Sequence, residues 1–365
     1  MCARKSFMQE VNVGTLPAEY TRAVRKELQG TIVDAVYPVR NYIDESRRLV
    51  TDQLVDSGQV GREMASGDPI QKSCYVYLPH GYDEQDPDTR YDVLYLLHGV
   101  GGDRDEWLQV REDGRPVIFH ILDHLIANGE IDPLIVVFPN GRSSLDWEDR
   151  SFTMEGTNLL GFYYFDYELR HDLLPFIEST FKTHADIRRQ TEDRGLQDRE
   201  HRAIAGLSMG GMQCLNLVLG GYRSDAARYI GSAGEQGNGL RATVRAPGMT
   251  DLFAYVGAFS NAPTSSNGTV LGDSVAAGPM LRLLYMTCGD GDGISIKCYE
   301  DAIAGLAECA GERLGSLYQV VIQGGVHDFG VWNNGAYNFL RLAFGESGEG
   351  RTGRQHVVEV TLPSG

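Results

Sequence analysis

The chain has 365 residues, 42% hydrophobic and 23% charged, the profile of a folded globular protein rather than a disordered one. Its formal net charge of −17 opposes binding to nucleic acid or to an anionic membrane, since both carry charge of the same sign. No apolar run reaches the roughly 18–20 residues of a membrane span, and six scattered cysteines without a Cys-x-x-Cys pair predict reduced thiols, with no disulfide framework and no metal site.

The first ten residues carry positive charge but no apolar stretch behind it, so the sequence predicts a cytoplasmic protein. Residues 1–30 read as an N-terminal extension with a short helix near Glu19–Leu28. Thr31–Tyr37 is the first strand, and the Gly- and charge-interrupted stretch from Asn41 to Gln71 is a long loop or embellished hairpin. Ser73–Leu78 alternates as a strand. Tyr91–Leu97 is nearly continuous in apolar character, as a strand buried on both faces should be. It runs into His98–Gly99–Val100–Gly101–Gly102, a loop whose backbone N–H groups can turn toward an anion.

Val117–Ala127 reads as a helix stopped by Asn128–Gly129, and Leu134–Phe138 as a buried strand. The aperiodic Arg142–Phe165 segment, with Trp147, Phe152, Met154, Phe162, Tyr163 and Tyr164, suits a loop lining a pocket. Asp166–Phe181 is helical with a kink at Pro175, and Lys182–Glu200 an exposed connector. Ala203–Leu207 is a strand and Met209–Leu219 a helix. Residues 220–248 read as an insertion, Leu252–Phe259 as a strand and Ser260–Gly278 as loop. Leu281–Thr287, the helix Ile296–Ala310, Leu317–Ile322 and the helix Asn334–Phe344 complete the alternation. Residues 346–365 form a loose tail in which Val357–Leu362 has the pattern of an edge strand. Such alternation predicts an α/β fold, a mostly parallel sheet with helices on both faces, in one domain spanning 31–345.

Between the strand at Ala203–Leu207 and the following helix stands Gly206–Leu207–Ser208–Met209–Gly210. A serine in a strained turn between small residues is the layout of a nucleophile elbow, although the pentad alone is weak evidence in a chain with 44 glycines. A nucleophilic serine needs a base, a group to orient that base, and donors for an oxyanion. In chain order the acid and then the histidine should follow the serine. Only His327 and His356 lie beyond Ser208, and His327 follows a strand and two glycines, which selects it as the base. Asp290 and Asp292 both qualify as the acid. Gly272–Asp273–Ser274–Val275–Ala276 imitates the elbow but lacks its last glycine and a preceding strand.

Four motifs together resemble the feruloyl-esterase and esterase D-like α/β-hydrolases. These are Leu96–Leu97–His98–Gly99–Val100–Gly101–Gly102, Gly206–Leu207–Ser208–Met209–Gly210–Gly211, Gly289–Asp290–Gly291–Asp292, and Gly324–Gly325–Val326–His327–Asp328–Phe329 running on to Trp332. The resemblance covers about residues 70–345 and implies an α/β-hydrolase fold and a serine carboxylesterase without metal or cofactor. It makes Asp292 the acid, because the family's acid ends a Gly-x-x-Asp motif, and assigns the oxyanion donors to the N–H groups of Met209 and Val100. It further suggests hydroxycinnamoyl esters of plant oligosaccharide or small conjugates as substrates, with Trp107, Trp332 and the 142–165 loop as contacts. S-formylglutathione hydrolase, enterochelin-type esterase and acyltransferase use the same machinery; a binding protein on a hydrolase fold is the non-enzymatic alternative.

Overall fold

In the computed structural model, which describes residues 13–50, 61–62, 67–110, 113–151, 153, 156–189, 192–224, 240, 243–345 and 356–363, the short apolar runs of the sequence are strands. Along the chain they are β1 (Thr31–Arg40), β2 (Pro69–Leu78), β3 (Asp92–Leu97), β4 (Leu134–Phe138), β5 (Arg202–Leu207), β6 (Tyr222–Ser224), β7 (Thr243–Arg245), β8 (Tyr255–Phe259), β9 (Leu281–Gly289), β10 (Leu314–Ile322) and β11 (His356–Leu362). Nine of them form one sheet in the order β1-β2-β4-β3-β5-β8-β9-β10-β11, while β6 and β7 pair separately. Only β1 with β2 and β2 with β4 are antiparallel in the large sheet; every other pairing is parallel. This is an α/β fold with a mostly parallel central sheet.

Side chains alternate across a strand, so the central strands feed two cores. Val93, Tyr95 and Leu97 enter one and Leu94 and Leu96 the other. The helix Phe329–Phe344 covers the second face, with Phe339 beside Phe259 and Tyr285. Helices Val117–Ala127, Met209–Gln213 and Ile296–Ile303 connect successive parallel strands. Parallel strands joined by crossovers all end on the same edge, and that edge collects the loops after β3, β5, β8, β9 and β10.

Several expectations change. Ser260–Gly278 is not all loop: Gly268–Ala276 is a helix whose N-cap Asn267 accepts the Val270 N–H at 3.0 Å. Its glycines mask it in sequence, yet a Cβ on Gly272 would meet the Leu306 carbonyl oxygen at 2.5 Å, so the gap permits a close helix contact. The imitation elbow at Ser274 lies inside this helix. The Ile296–Ala310 helix breaks after Ile303, at Gly305 with φ of 75°. In Phe165–Thr180 a π-helical turn, Leu169–Leu173, precedes Pro175 and takes up the irregularity expected of the proline. The helix near Glu19–Leu28 is two 3₁₀ turns, and Gly14 and Tyr20 tie this extension to Asn338 and Glu130. Part of the tail is ordered, since β11 pairs parallel with β10. Most of residues 51–66, within the 41–71 stretch, and of residues 225–242, within the 220–248 insertion, lies outside the described residues, as do Phe152 and Met154.

β5, which carries the elbow, begins at Arg202, whose fully buried guanidinium donates to both carboxylate oxygens of Glu178 at 2.5 and 3.0 Å. Removing one partner strands a buried charge. Glu178→Ala should therefore destabilise the fold by about 3–5 kcal/mol, read as a lowered midpoint of urea unfolding. Adding Arg202→Met should restore most of the loss, because a packed apolar side chain leaves no unpaired charge.

Candidate active site

β5 ends at Leu207, and the chain reverses into the helix Met209–Gln213 through Ser208 alone. Ser208 holds φ of 52° and ψ of −114°, a region that costs a non-glycine residue roughly 1–3 kcal/mol. Three backbone bonds hold it there: its N–H donates to Phe259 O at 2.9 Å, and its carbonyl accepts from Met212 and Ala262 at 3.0 Å each. The flanking glycines are steric necessities. A Cβ on Gly206 would lie 2.5 Å from the Gly210 backbone, and one on Gly210 would lie 2.7 Å from His98 O.

Ser208 Oγ lies 3.1 Å from His327 Nε2, and His327 Nδ1 lies 2.9 Å from Asp292 Oδ2. The three residues come from loops after β5, β10 and β9. Asp292 is fully buried. Burial alone would raise its carboxyl pKa; the His327 hydrogen bond and charge and the Ser295 N–H outweigh it and hold the group below its ordinary value. Ile294 N–H also donates to Oδ1, at 3.1 Å. Next to it, burial and the Asp292 charge push the Cys288 thiol up to about 12, so it stays a neutral donor 3.7 Å from Asp292 Oδ2. The other candidate acid, Asp290, instead accepts the Gly324 N–H at 2.6 Å. His356, the other histidine beyond Ser208, starts the edge strand β11 and is exposed.

The loop after β3 lies against Ser208: a Cβ on Gly99 would meet Ser208 Cβ at 3.2 Å. Val100 and Gly101 turn the chain between Gly99 O and Gly102 N, with φ of 77° at Gly101. Met209 opens the helix behind Ser208, where N–H groups have no intrahelical acceptor. The loop is fixed at several points. His98 accepts the Gly141 N–H on Nε2 and faces Gly99 O through Nδ1, an arrangement that needs the neutral ring protonated on Nδ1. Burial and then Arg142 lower the His98 pKa to about 3, which keeps it neutral. Arg142 reaches Gly102 O at 2.6 Å, and Asp103 accepts from Asn140 and Arg150. Beneath, the buried Lys72 ammonium binds Glu168 at 2.8 Å and the carbonyls of Asn140 and Arg142.

Neither tryptophan proposed as a substrate contact faces outward. Trp107 is buried, donates its indole N–H to Leu97 O at 3.0 Å and stands edge-on to Phe259 and Phe329. Trp332 is buried edge-on behind His327, with ring centroids 5.1 Å apart, so it backs the imidazole. Phe162, Tyr163 and Tyr164 sit in a buried helical turn rather than an open loop.

Glu106 is the residue that the sequence did not single out. Its Oε2 accepts the Gly99 N–H at 2.6 Å, and burial, only partly offset by that bond and Arg142, raises its pKa. A glutamate between two acidic loop positions and a tryptophan gives no sequence signal for this contact.

Residues 71–224 match the family model described as putative esterase. Endo-1,4-beta-xylanase Y of Acetivibrio thermocellus is 35% identical over 170 residues, covering 44% of this chain and 14% of that protein. An endo-1,4-beta-xylanase/feruloyl esterase of Xylanibacter ruminicola is 28% identical over 266 residues, 72% of this chain and 28% of that one. The chain thus spans well under a third of these relatives. A mutant of the feruloyl esterase module from Clostridium thermocellum, complexed with sinapinate, shares the fold with a TM-score of 0.61 at 23% identity, covering 92% of this chain and 95% of that one.

The Glu106 contact makes a prediction. Glu106→Ala should lower kcat roughly tenfold or more by loosening the glycine-rich loop beside Ser208, with KM changing less. Glu106→Gln keeps an oxygen for Gly99 N–H and should recover most of the rate in steady-state assays.

Proposed function

We infer that this chain, whose residues 71–224 match the model of the putative esterase family, is a serine carboxylesterase that acts through an acyl-enzyme. The observation that carries the reading is the unbroken hydrogen-bonded line from Ser208 Oγ to His327 Nε2 at 3.1 Å and from His327 Nδ1 to Asp292 at 2.9 Å.

In this mechanism His327 Nε2 takes the Ser208 hydroxyl proton as Oγ attacks the ester carbonyl carbon. Negative charge moves onto the carbonyl oxygen, and the N–H groups of Met209 and Val100 donate to it. Collapse of the tetrahedral species breaks the ester C–O bond, and His327 returns the proton to the leaving alcohol. Water then repeats the sequence on the acyl-enzyme, releasing the acid and restoring Ser208. Asp292 stays ionised, holds the ring with Nε2 toward Ser208 and stabilises the imidazolium formed in each half.

The proposed substrates are hydroxycinnamoyl esters of plant-derived carbohydrate or of small conjugates. Two matters support this: the xylanase/feruloyl esterase relative and the feruloyl esterase module of like fold, and exposed apolar residues in the loops that carry the acid and the histidine. Ile294, two residues after Asp292, and Val326, just before His327, are 55% and 47% exposed. Exposed apolar side chains on these loops suit a planar aromatic acyl group better than a small polar one.

A panel of methyl ferulate, S-formylglutathione and p-nitrophenyl acetate tests the reading. The expected result is a kcat/KM for methyl ferulate at least roughly tenfold above the other two, with kcat reduced by roughly 10⁴-fold or more in Ser208→Ala. A preference for S-formylglutathione would overturn the substrate class, and full activity in Ser208→Ala would overturn the mechanism.

A further inference from the structure

At the opposite edge of the sheet, three residues far apart in sequence converge. Asp92 opens β3 and His201 immediately precedes β5. The β3–β5 register sets Val93 against Arg202, so Asp92 and His201 are the next neighbours outward. Tyr91 donates its N–H to Lys182 O at 2.9 Å and accepts the His184 N–H at 3.1 Å, which brings His184 alongside. His201 Nδ1 lies 2.7 Å from Asp92 Oδ1. The two imidazoles stack with centroids 4.6 Å apart, and a donor atom of each of the three residues lies within 4.8 Å of the other two. Asp92 and His184 also line a cavity of about 310 Å³ together with His80 and Asp132.

We propose that Asp92, His184 and His201 bind one divalent transition-metal ion of the zinc type. Two imidazole nitrogens and one carboxylate oxygen are the borderline donor set that zinc selects over magnesium or calcium, with room for water in a fourth position. The ion takes the place of the proton between Asp92 Oδ1 and His201 Nδ1. Tetrahedral bonds of about 2.0–2.1 Å set donors about 3.3 Å apart, so the 2.7 Å contact opens by about 0.6 Å and the His184 ring turns inward. The negative net charge of the chain favours cation capture.

This position is one strand length from the triad, roughly 20 Å along β5. The ion therefore acts as a clamp joining β3, β5 and the 182–184 segment, and takes no part in the ester chemistry.

The test uses the full chain, stripped with EDTA and dialysed against micromolar zinc chloride at pH 8. Metal is counted by mass spectrometry of the digested protein, and thermal unfolding is followed by circular dichroism. The expected result is one zinc per chain and a midpoint raised by roughly 3 °C or more. His184→Ala and His201→Ala should each lose both effects, yet unfold cooperatively without zinc and keep ester turnover within about twofold. Absence of stoichiometric zinc in the unaltered chain, or its retention in both variants, would overturn the proposal. Neither result bears on the esterase reading, because turnover is measured in zinc-free buffer.

Discussion

The site depends on a one-residue reversal between a buried strand and a buried helix. Ser208 occupies a backbone conformation that an L-residue adopts only under constraint, and the constraint is visible: Gly206 and Gly210 have no room for a Cβ, while Phe259, Met212 and Ala262 hold both backbone polar groups of the serine. The strain stays local because the strand before it is anchored at its far end by Arg202 and Glu178. Strand, turn and helix thus aim one hydroxyl at the open edge of the sheet.

Parallel topology supplies the rest. Because β3, β5, β8, β9 and β10 all end on one edge, the glycine-rich loop after β3, Ser208, Asp292 and His327 meet although they span more than 200 residues of chain. Polar groups at that edge are organised by charge. Asp292 is buried yet remains a carboxylate through donors on both oxygens, and His98 is neutral because burial and the nearby Arg142 disfavour its charged form. The loop carrying Val100 is bonded at Gly99, Gly102 and Asp103. Donors fixed in place before reaction need no reorganisation when charge develops, which is the largest lever in acyl transfer.

The sequence reveals most of this edge because its chemistry requires short, ordered motifs. Glycines at the elbow, a histidine after a strand and Gly-Gly, and a Gly-rich loop after β3 are all dictated by backbone geometry that few residues satisfy. Where contact is made by side chains distant in sequence, the signal disappears. Nothing in the spacing separates Asp290 from Asp292; the fold does, by sending one to Gly324 and the other to His327. Trp107 looks like a pocket residue and is instead a core residue whose N–H finds Leu97. The helix Gly268–Ala276 is hidden by glycines that exist to admit a neighbouring helix. Glu106, and the Asp92, His184 and His201 group, belong to the same class: each depends on register between segments, which a one-dimensional pattern does not carry.

Activation of Ser208 as a nucleophile by His327 is read most simply by peptide mass spectrometry after incubation with a fluorophosphonate, on the unaltered chain and on His327→Ala. A single adduct is expected on the peptide containing Ser208, formed in the first and lost or strongly slowed in the second. An adduct on a different residue, no adduct at all, or equal labelling without the histidine would contradict it.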